Sequence, residues 1–256
     1  MAATIAIEKS LDPAMAAAQH ALEEDLSCPL VPAEQVTQFD FVLRQEAAGL
    51  TLQATAKQAP GGVRVDFNSA ALRRRAADRL RHQDLIKAIG IKGAARPTVL
   101  DATAGLGSDA FLFAASGCQV WMLERSPIVH ALLADGLRRG ADPVSPVAGI
   151  VARMKLVFGD ILDPAHAVDP MDVVYLDPMF PADRKSARSG KGMYLLQELL
   201  GPAVDESDLF ARALSVARQR VVVKRGKRSP AIASKPVDIC FRGSSSRYDV
   251  YLQDSS

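Results

Sequence analysis

Residues 99–109 read VLDATAGLGSD, an apolar strand followed by a glycine-containing loop and the start of a helix. Gly105 and Gly107 allow the backbone to turn sharply and to approach a ligand closely, while the free N–H groups at the helix start can bind it. The spacing Gly105-x-Gly107-x-x-Ala110 also fits the fingerprint of nicotinamide and flavin sites. A tight strand-to-helix turn without a ligand uses the same glycines, so the loop by itself predicts a βα unit and leaves its ligand open.

The chain that follows this loop alternates between short apolar strands and helices. The predicted strands cover residues 99–100, 120–123, 156–158, 173–176 and 221–223. The predicted helices cover residues 109–116, 128–139, 195–200 and 207–217. Such alternation is typical of a doubly wound α/β fold with a parallel sheet. Residues 237–241 and 248–252, which flank a Gly-Ser turn, predict an antiparallel hairpin at the end of the chain.

The residues before the loop differ in charge and in pattern. Residues 1–60 hold eight acidic and three basic side chains, whereas the whole chain of 256 residues has a net charge of +2. The pattern predicts a helix over residues 12–25, short strands at 39–43, 50–54 and 63–67, and one long helix from Ser69 to Ile89. We therefore expect a small acidic N-terminal α+β domain over residues 1–66 and an α/β domain over residues 67–256.

The composition, with 48% hydrophobic and 23% charged residues, indicates a globular protein. The sequence contains no run of the roughly 18 apolar residues that a membrane span needs, and its first residues lack the pattern of a secretory signal. A cytoplasmic location is the expectation. Three widely spaced cysteines predict no disulfide framework, and the four histidines lack metal-ligand spacing, so we expect no metal.

Acidic residues stand at the ends of the predicted strands, which is where doubly wound sheets bind ligands. Glu124, at the end of the second strand, can accept hydrogen bonds from both hydroxyls of a ribose, which predicts a nucleoside-containing cofactor. Asp101 would repel a pyrophosphate but suits the ammonium of a methionine moiety, so it favours S-adenosylmethionine over a dinucleotide. Asp160 and Ile161 offer a carboxylate and an apolar surface to an adenine, although Asp160 is equally suited to capping a turn.

The fourth strand runs into Asp177-Pro178-Met179-Phe180-Pro181, in which two prolines fix the backbone. Asp177 can accept a hydrogen bond from an exocyclic amine, and Phe180 can stack on the flat face of a purine. The alternative is an ordinary Asp-Pro turn with Phe180 in the core. It does not explain why this turn falls at the same sheet edge as Asp101 and Glu124.

Together these motifs resemble class I S-adenosylmethionine-dependent amino-methyltransferases, whose fourth-strand motif is (Asn/Asp/Ser)-Pro-Pro-(Tyr/Phe). Residues 101–107, 122–125, 175–181 and 220–225 more closely resemble the RsmJ family of bacterial small-subunit (16S) ribosomal RNA guanine-N2 methyltransferases. The resemblance implies a Rossmann-like fold with a mostly parallel seven-stranded sheet and a C-terminal antiparallel hairpin. It also implies cofactor contacts, beyond Asp101, Gly105 and Gly107, at Ser108, Asp109, Glu124, Arg125, Asp160, Ile161 and Asp177.

The same resemblance implies a substrate, ribosomal RNA or the small ribosomal subunit, and a mechanism. We expect Asp177 and the backbone carbonyl of Pro178 to accept the hydrogens of the guanine amine while Phe180 stacks on the base. Clustered bases suit contacts with phosphates, although a solvated helix face can carry the same charges. The predicted RNA contacts are Arg184, Lys185, Arg188, Lys191, Lys224 and Arg225.

Three other interpretations remain open at this point. A DNA or protein-glutamine methyltransferase would share the cofactor site and the Asp-Pro-x-Phe loop. A nicotinamide-dependent oxidoreductase would explain the glycines and Glu124 but assigns no role to residues 177–181. A catalytically silent RNA-binding protein would need only the basic clusters.

Overall fold

The computed structural model describes residues 3–10, 12–57, 61–77, 80, 83–166, 169–178, 199, 205–232, 235–243 and 246–253. Within these ranges the strands are β1 (Ile5–Glu8), β2 (Leu30–Val31), β3 (Phe41–Glu46), β4 (Gly49–Ala54), β5 (Val99–Asp101), β6 (Val120–Glu124), β7 (Met154–Phe158), β8 (Met171–Leu176), β9 (Ala217–Gly226), β10 (Ile239–Arg242) and β11 (Ser246–Leu252). The helices are α1 (Ala16–Leu26), α2 (Ala70–Ala77), α3 (Asp84–Ala88), α4 (Ser108–Ala115), α5 (Pro127–Gly140), α6 (Ala148–Val151) and α7 (Glu206–Val216). None of these helices is both long and apolar enough to cross a membrane.

The larger sheet has seven strands in the order β10-β11-β9-β8-β5-β6-β7. Strands β5 to β9 are parallel, whereas β11 pairs antiparallel with β9 and β10 pairs antiparallel with β11. This arrangement confirms the predicted mostly parallel sheet with a C-terminal antiparallel hairpin. The chain order changes direction between β5 and β8, and such a switch point opens a crevice beyond the carboxyl ends of the strands.

Apolar side chains cover both faces of this sheet, because successive residues of a strand point to opposite sides. Val99 packs in a cluster with Phe111 of α4, whereas the next residue, Leu100, packs on the other face with Phe210 of α7. Burial on both faces explains why the strands are continuous apolar runs rather than alternating ones. Residues 110–114 of α4 are buried completely, which fixes the helix that follows the glycine loop.

The smaller sheet, in the order β2-β1-β3-β4, is formed by residues 5–54. Strands β3 and β4 confirm two predicted strands, and α1 confirms most of the predicted first helix, which is preceded by a 3-10 turn at Pro13–Met15. β1 and β2 were not predicted, because four and two residues, respectively, are too few to display a clear alternation. Both pair in parallel, so their partners are distant in sequence.

The strand predicted at residues 63–67 is wrong except for one residue. Only Val63 pairs, in an isolated bridge with Leu52. Val63, Val65 and Phe67 are all buried, so the alternation seen in the sequence reflects packing of an irregular segment rather than a sheet ladder.

The long helix predicted from Ser69 to Ile89 is also wrong, because two helices, α2 and α3, replace it. Gln83 has an extended backbone (φ −68°, ψ 135°), and its side-chain amide donates to the carbonyl of Arg75 at 2.7 Å. The break lets α3 turn and bury Leu85 and Ile86 against the β10–β11 hairpin. The helix predicted at residues 195–200 lies outside the described residues, apart from Leu199.

The two sheets share one hydrophobic core. Leu43 and Leu52 of the smaller sheet belong to the same buried cluster as Phe111 and Leu132 of the larger unit. Because this core is continuous across both parts, it marks no domain boundary, and the boundary between residues 66 and 67 stays a prediction. The polar joint between the parts is Asp135 of α5, whose Oδ2 accepts hydrogen bonds from the Leu50 N–H and from Arg139 Nε, both at 2.9 Å.

Replacing Asp135 with alanine is expected to lower the free energy of unfolding by about 2–3 kcal/mol, because it leaves the buried Leu50 N–H without its acceptor and the Arg139 guanidinium without its carboxylate. Burial by itself would raise the pKa of Asp135, but hydrogen bonds from Leu50, Arg139 and Arg138 lower it below the usual value. A depressed pKa means that the stabilisation is present above the pKa of an unfolded aspartate and is lost as the pH falls through the folded value. Urea unfolding of both proteins from pH 7 to pH 3 measures this, and the difference should shrink at the acid end.

Arg138 provides the matched control, since it contacts the other oxygen of the same carboxylate, Asp135 Oδ1, at 2.8 Å from an exposed position. Arg138→Ala should change the free energy of unfolding by less than about 1 kcal/mol. An equal loss in both variants would contradict the assignment of Asp135 as the joint between the sheets.

Candidate active site

The loop after β5 depends on its two glycines for different reasons. Gly105 and Gly107 both have positive φ, +52° and +71°, where side chains other than hydrogen are strained. A Cβ at Gly107 would also lie 2.8 Å from Leu133 Cδ1, so this residue allows the loop to pack on α5. A Cβ at Gly105 would meet its nearest neighbour, the Thr103 carbonyl oxygen, only at 3.9 Å. The loop is therefore packed at Gly107 and open at Gly105, where a ligand can approach.

Glu124, the last residue of β6, fixes this loop. Its Oε2 accepts a hydrogen bond from the Gly105 N–H at 3.0 Å, and its Oε1 accepts one from the Ser126 N–H at 2.8 Å. Burial raises the pKa of the Glu124 carboxyl, although the backbone donors at Ser126 and Gly105 act in the opposite direction. Each oxygen retains a lone pair, so Glu124 can hold the loop and still accept from a ribose hydroxyl.

The end of β7 lies beside Glu124, because the Gly159 N–H donates to the Glu124 carbonyl at 3.1 Å. Asp160 Oδ1 accepts from the Leu162 N–H at 3.0 Å and thus caps a turn, while Oδ2 lies 3.6 Å from Arg125 Nη1. The structure therefore brings Arg125 and Asp160 together at the edge predicted for the cofactor. Ile161 differs from the prediction: it is buried in the core under the sheet and presents no surface to a ligand.

Asp177 directly follows β8, and hydrogen bonds hold both its backbone N–H and its carboxylate. Its backbone N–H donates to Thr103 Oγ1 at 2.7 Å, which ties the loop after β8 to the loop after β5. Its carboxylate Oδ2 lies 2.8 Å from Lys224 Nζ, and its side chain is 31% exposed. Pro178 is buried behind it, which fixes the backbone at the point where the substrate is expected.

A network of charged and polar groups surrounds Asp177. Lys224 Nζ lies between two carboxylates, 2.8 Å from Asp177 Oδ2 and 2.9 Å from Asp109 Oδ2. Asp109, in the first turn of α4, also accepts from the Tyr175 hydroxyl at 2.7 Å and lies 3.4 Å from Arg75 of α2. Ser108, the residue before it, is exposed at the start of the helix.

The electrostatics of this network follow from burial. Burial, followed by the nearby Asp109 carboxylate, raises the pKa of Asp101 well above its usual range. Burial also raises the pKa of Asp177, although Lys224 acts against this shift. At Asp109 burial is outweighed by the ammonium of Lys224 and the hydrogen bonds that the carboxylate accepts, so its pKa is lowered. For Lys224, burial is outweighed by the two carboxylates, which raise its pKa and keep it protonated.

The structure corrects the predicted RNA contacts at Lys224 and Arg225. Neighbouring residues on β9 point to opposite faces, so Lys224 reaches the carboxylates of the site and Arg225 enters the interior. Arg225 is only 2% exposed, donates to the Pro230 carbonyl at 2.9 Å and pairs with Glu206 of α7 at 2.9 Å. Arg225 is therefore not placed to bind a phosphate, and the ammonium of Lys224 is already paired with Asp109 and Asp177. The predicted contacts at Phe180, Arg184, Lys185, Arg188 and Lys191 lie outside the described residues.

The sequence does not reveal that Lys224 and Tyr175 both meet Asp109, and it predicts Lys224 as an RNA contact instead. A signal was present, since Lys224 follows the apolar run Val221–Val223 at the same edge as the other strand ends. Its two partners are 47 and 115 residues away, however, and only the strand order brings them together. In the described part of the chain, no three His, Cys, Asp or Glu side chains are grouped so that they could hold a metal ion.

These residues fit S-adenosylmethionine. The buried carboxylate of Glu124 suits the ribose hydroxyls, and the buried carboxylate of Asp101 suits a cationic amine. The open side of Gly105 and the start of α4 provide backbone N–H groups for polar parts of the same ligand.

Comparison with known proteins agrees with this assignment. A family model described as "Putative SAM-dependent methyltransferase" matches residues 29–253. The ribosomal RNA small subunit methyltransferase J of Dechloromonas aromatica is 43% identical over 249 residues, which cover 96% of this chain and 99% of that protein. The protein of the same name from Pseudomonas savastanoi pv. phaseolicola is 44% identical over 229 residues, covering 88% of this chain and 83% of the relative.

A crystal structure of a SAM-dependent methyltransferase from Neisseria gonorrhoeae is 30% identical and superposes with a TM-score of 0.70, covering 99% of this chain and 97% of the other. The superposition spans both sheets, so the small N-terminal sheet is part of the shared fold. The cofactor of this chain is S-adenosyl-L-methionine, and the chain belongs to the family of ribosomal RNA small subunit methyltransferases J, within the SAM-dependent methyltransferases.

Proposed function

We propose that the protein transfers a methyl group from S-adenosyl-L-methionine to the exocyclic N2 amine of a guanosine in 16S ribosomal RNA. The observation that carries the proposal is the position of Asp177, an acceptor held by Thr103 and Lys224 beside the loop that suits the cofactor. The names of relatives that are 43–44% identical over most of the chain support ribosomal RNA as the substrate. A ribosomal substrate would also place the protein in the cytoplasm.

The chemistry required of the chain is modest. The guanine amine is a weak nucleophile because its lone pair is delocalised into the ring, but it is not protonated near neutral pH, so no base has to free its lone pair before attack. An acceptor that binds its hydrogens localises this lone pair and stabilises the positive charge that develops on nitrogen. Asp177 Oδ1 and the Pro178 carbonyl are the proposed acceptors, and Phe180 is proposed to stack on the base. The cofactor, when bound, supplies an electrophilic methyl group, whose bond to the sulfonium sulfur would break as its bond to nitrogen forms; S-adenosylhomocysteine would leave, and the surplus amine proton would pass to Asp177 or to water. The chain's contribution is orientation and electrostatics.

Exposed basic residues border this edge of the sheet and support an RNA substrate. Arg73 and Arg74 lie on α2, which reaches the site through the contact between its Arg75 and Asp109. Lys227 and Arg228 lie in the turn after β9, and Arg247 shapes that turn by donating to several of its carbonyls. Arg184, Lys185, Arg188 and Lys191 are proposed as further contacts with RNA. Because the amine lies on a base edge, the guanosine must be unpaired or flipped out of a helix.

Labelled methyl transfer tests this function. Small ribosomal subunits and their naked RNA, purified from cells that lack the gene, are incubated with the protein and labelled cofactor and then digested to nucleosides. We expect label in N2-methylguanosine. Subunits from cells that retain the gene are the matched control and should accept little label, because their site is already methylated.

Label in another nucleoside, in ribosomal protein or in DNA would replace the proposed substrate and retain the cofactor site. A protein that binds the cofactor, as measured by calorimetry, but labels neither subunits nor naked RNA would contradict the proposal.

A further inference from the structure

Lys224 links the loop after β8, which carries Asp177, to the first turn of α4, which carries Asp109. Its ammonium lies 2.8 Å from Asp177 Oδ2, after β8, and 2.9 Å from Asp109 Oδ2, in the first turn of α4. Its side chain is 26% exposed, so solvent weakens these two contacts only in part. We infer that Lys224 is a positioning residue of the methyl transfer, which holds Asp177 ionised and directs its second oxygen to the substrate amine. The inference rests on the proposed function.

Two contacts fix the orientation of the Asp177 carboxylate. One oxygen, Oδ2, is taken by Lys224, and the backbone on the other side is fixed by Thr103. Among the contacts of the described residues, Oδ2 is taken and Oδ1 is not, so Oδ1 is the oxygen that we infer to be available for an amine hydrogen. A carboxylate bound in this way cannot rotate freely, so it is already oriented before substrate binds.

Three carboxylates, those of Asp101, Asp109 and Asp177, meet near the ends of β5 and β8 and the start of α4. Within the described ranges, the other titratable groups that face them, besides Lys224, are Tyr175 from β8, Tyr248 from β11 and Arg75 from α2. Burial, followed by the Asp109 carboxylate, raises the pKa of Tyr248 to about 12, so this hydroxyl is neutral. Of the three carboxylates, Arg75 pairs with Asp109 alone, at 3.4 Å and from an exposed side chain.

Burial and the neighbouring Asp109 carboxylate favour the protonated form of Asp177, and in the part of the chain that the structure describes Lys224 is the cation that opposes them at contact distance. A protonated Asp177 has one oxygen that donates rather than accepts, so it would no longer stabilise charge that develops on the amine. Lys224 therefore sets the pH range in which Asp177 can act.

The test is the pH dependence of kcat for Lys224→Met, which keeps the length of the side chain and removes its charge. Loss of a cation at this distance should raise the pKa of Asp177 further, so the acid limb of the profile should move to higher pH. Activity lost on the acid side of the profile should then be regained as the pH rises, because Asp177 ionises again. Lys224→Arg, which keeps the charge, should retain a profile close to that of the unmodified protein.

A second measurement does not depend on activity. In protein labelled with 13C at the aspartate carboxyl, the resonance that disappears in Asp177→Asn belongs to Asp177. We expect its titration midpoint to move upward in Lys224→Met and not in Lys224→Arg. Calorimetry of cofactor binding shows whether the variants retain the cofactor site, and the unmodified protein, assayed alongside, shows whether the proposed reaction occurs at all.

Lys227→Met is the matched control, because Lys227 lies three residues further along, exposed in the turn after β9. It should alter the KM for RNA and its salt dependence and leave the pH profile unchanged. The same behaviour in Lys224→Met would overturn the inference and return Lys224 to a phosphate contact. A uniform loss at every pH, with an unshifted Asp177 resonance, would also overturn it and leave Lys224 a structural residue.

Discussion

Replacing Asp177 with asparagine is expected to reduce kcat for methyl transfer by about a thousandfold, while cofactor affinity changes little. Asparagine has nearly the same shape as aspartate but only one acceptor oxygen. In the protein, Lys224 donates to Asp177 Oδ2 at 2.8 Å, so the amide oxygen of the variant would turn to this ammonium. Its NH2 group would then face the substrate amine, donor against donor. The measurement is single-turnover transfer of labelled methyl to small subunits under saturating cofactor.

Asp172 supplies a matched control for this variant. It lies at the other end of the same strand, where its Oδ2 accepts from the Thr98 N–H and hydroxyl, both at 2.9 Å. Asp172→Asn should weaken the start of the sheet and leave kcat near that of the unmodified protein. If Asp177→Asn keeps more than about a tenth of the original kcat, the carboxylate is not the main acceptor for the amine.

The sequence was sufficient to predict the sheet and three of the site's carboxylates because these rest on local signals. Asp101, Glu124 and Asp177 each end an apolar run, and parallel strands bring their carboxyl ends to one edge. The glycines of the loop are equally local. A resemblance carried by residues 175–181 then gave the reaction, which the strand ends alone left open.

What could not be predicted depends on contacts between distant segments. Lys224 and Arg225 look alike in sequence, yet one meets Asp109 and Asp177 and the other meets Glu206 on the opposite face. The break between α2 and α3 exists because α3 packs on a hairpin more than 140 residues later in the chain. Strand β1 is recognisable only through its partners, β2 and β3.

Replacing Glu124 with alanine is expected to raise the Kd for S-adenosylmethionine at least about 100-fold. The change removes the acceptor of two backbone hydrogen bonds, from Gly105 and Ser126, as well as the proposed ribose contact. Hydrogen bonds to a charged group contribute about 1.5–3 kcal/mol each, and 1.4 kcal/mol corresponds to a tenfold change in affinity. Calorimetry of cofactor binding measures the loss. Because the pKa of Glu124 is raised, the affinity of the unmodified protein should fall on acidification at a higher pH than an ordinary glutamate would give.

The two variants should separate the two halves of the site. Glu124→Ala should raise the KM for the cofactor and recover most of kcat at saturation, whereas Asp177→Asn should lower kcat at any cofactor concentration. Asp163, an exposed carboxylate that pairs with His166 beyond the third strand, is the control and should be replaceable by alanine with no loss of affinity. A Glu124 variant with normal affinity would mean that the loop needs only its glycines. Loss of kcat at saturating cofactor would instead mean that Glu124 also orders the loop after β8, through the hydrogen bond from the Asp177 N–H to Thr103 Oγ1.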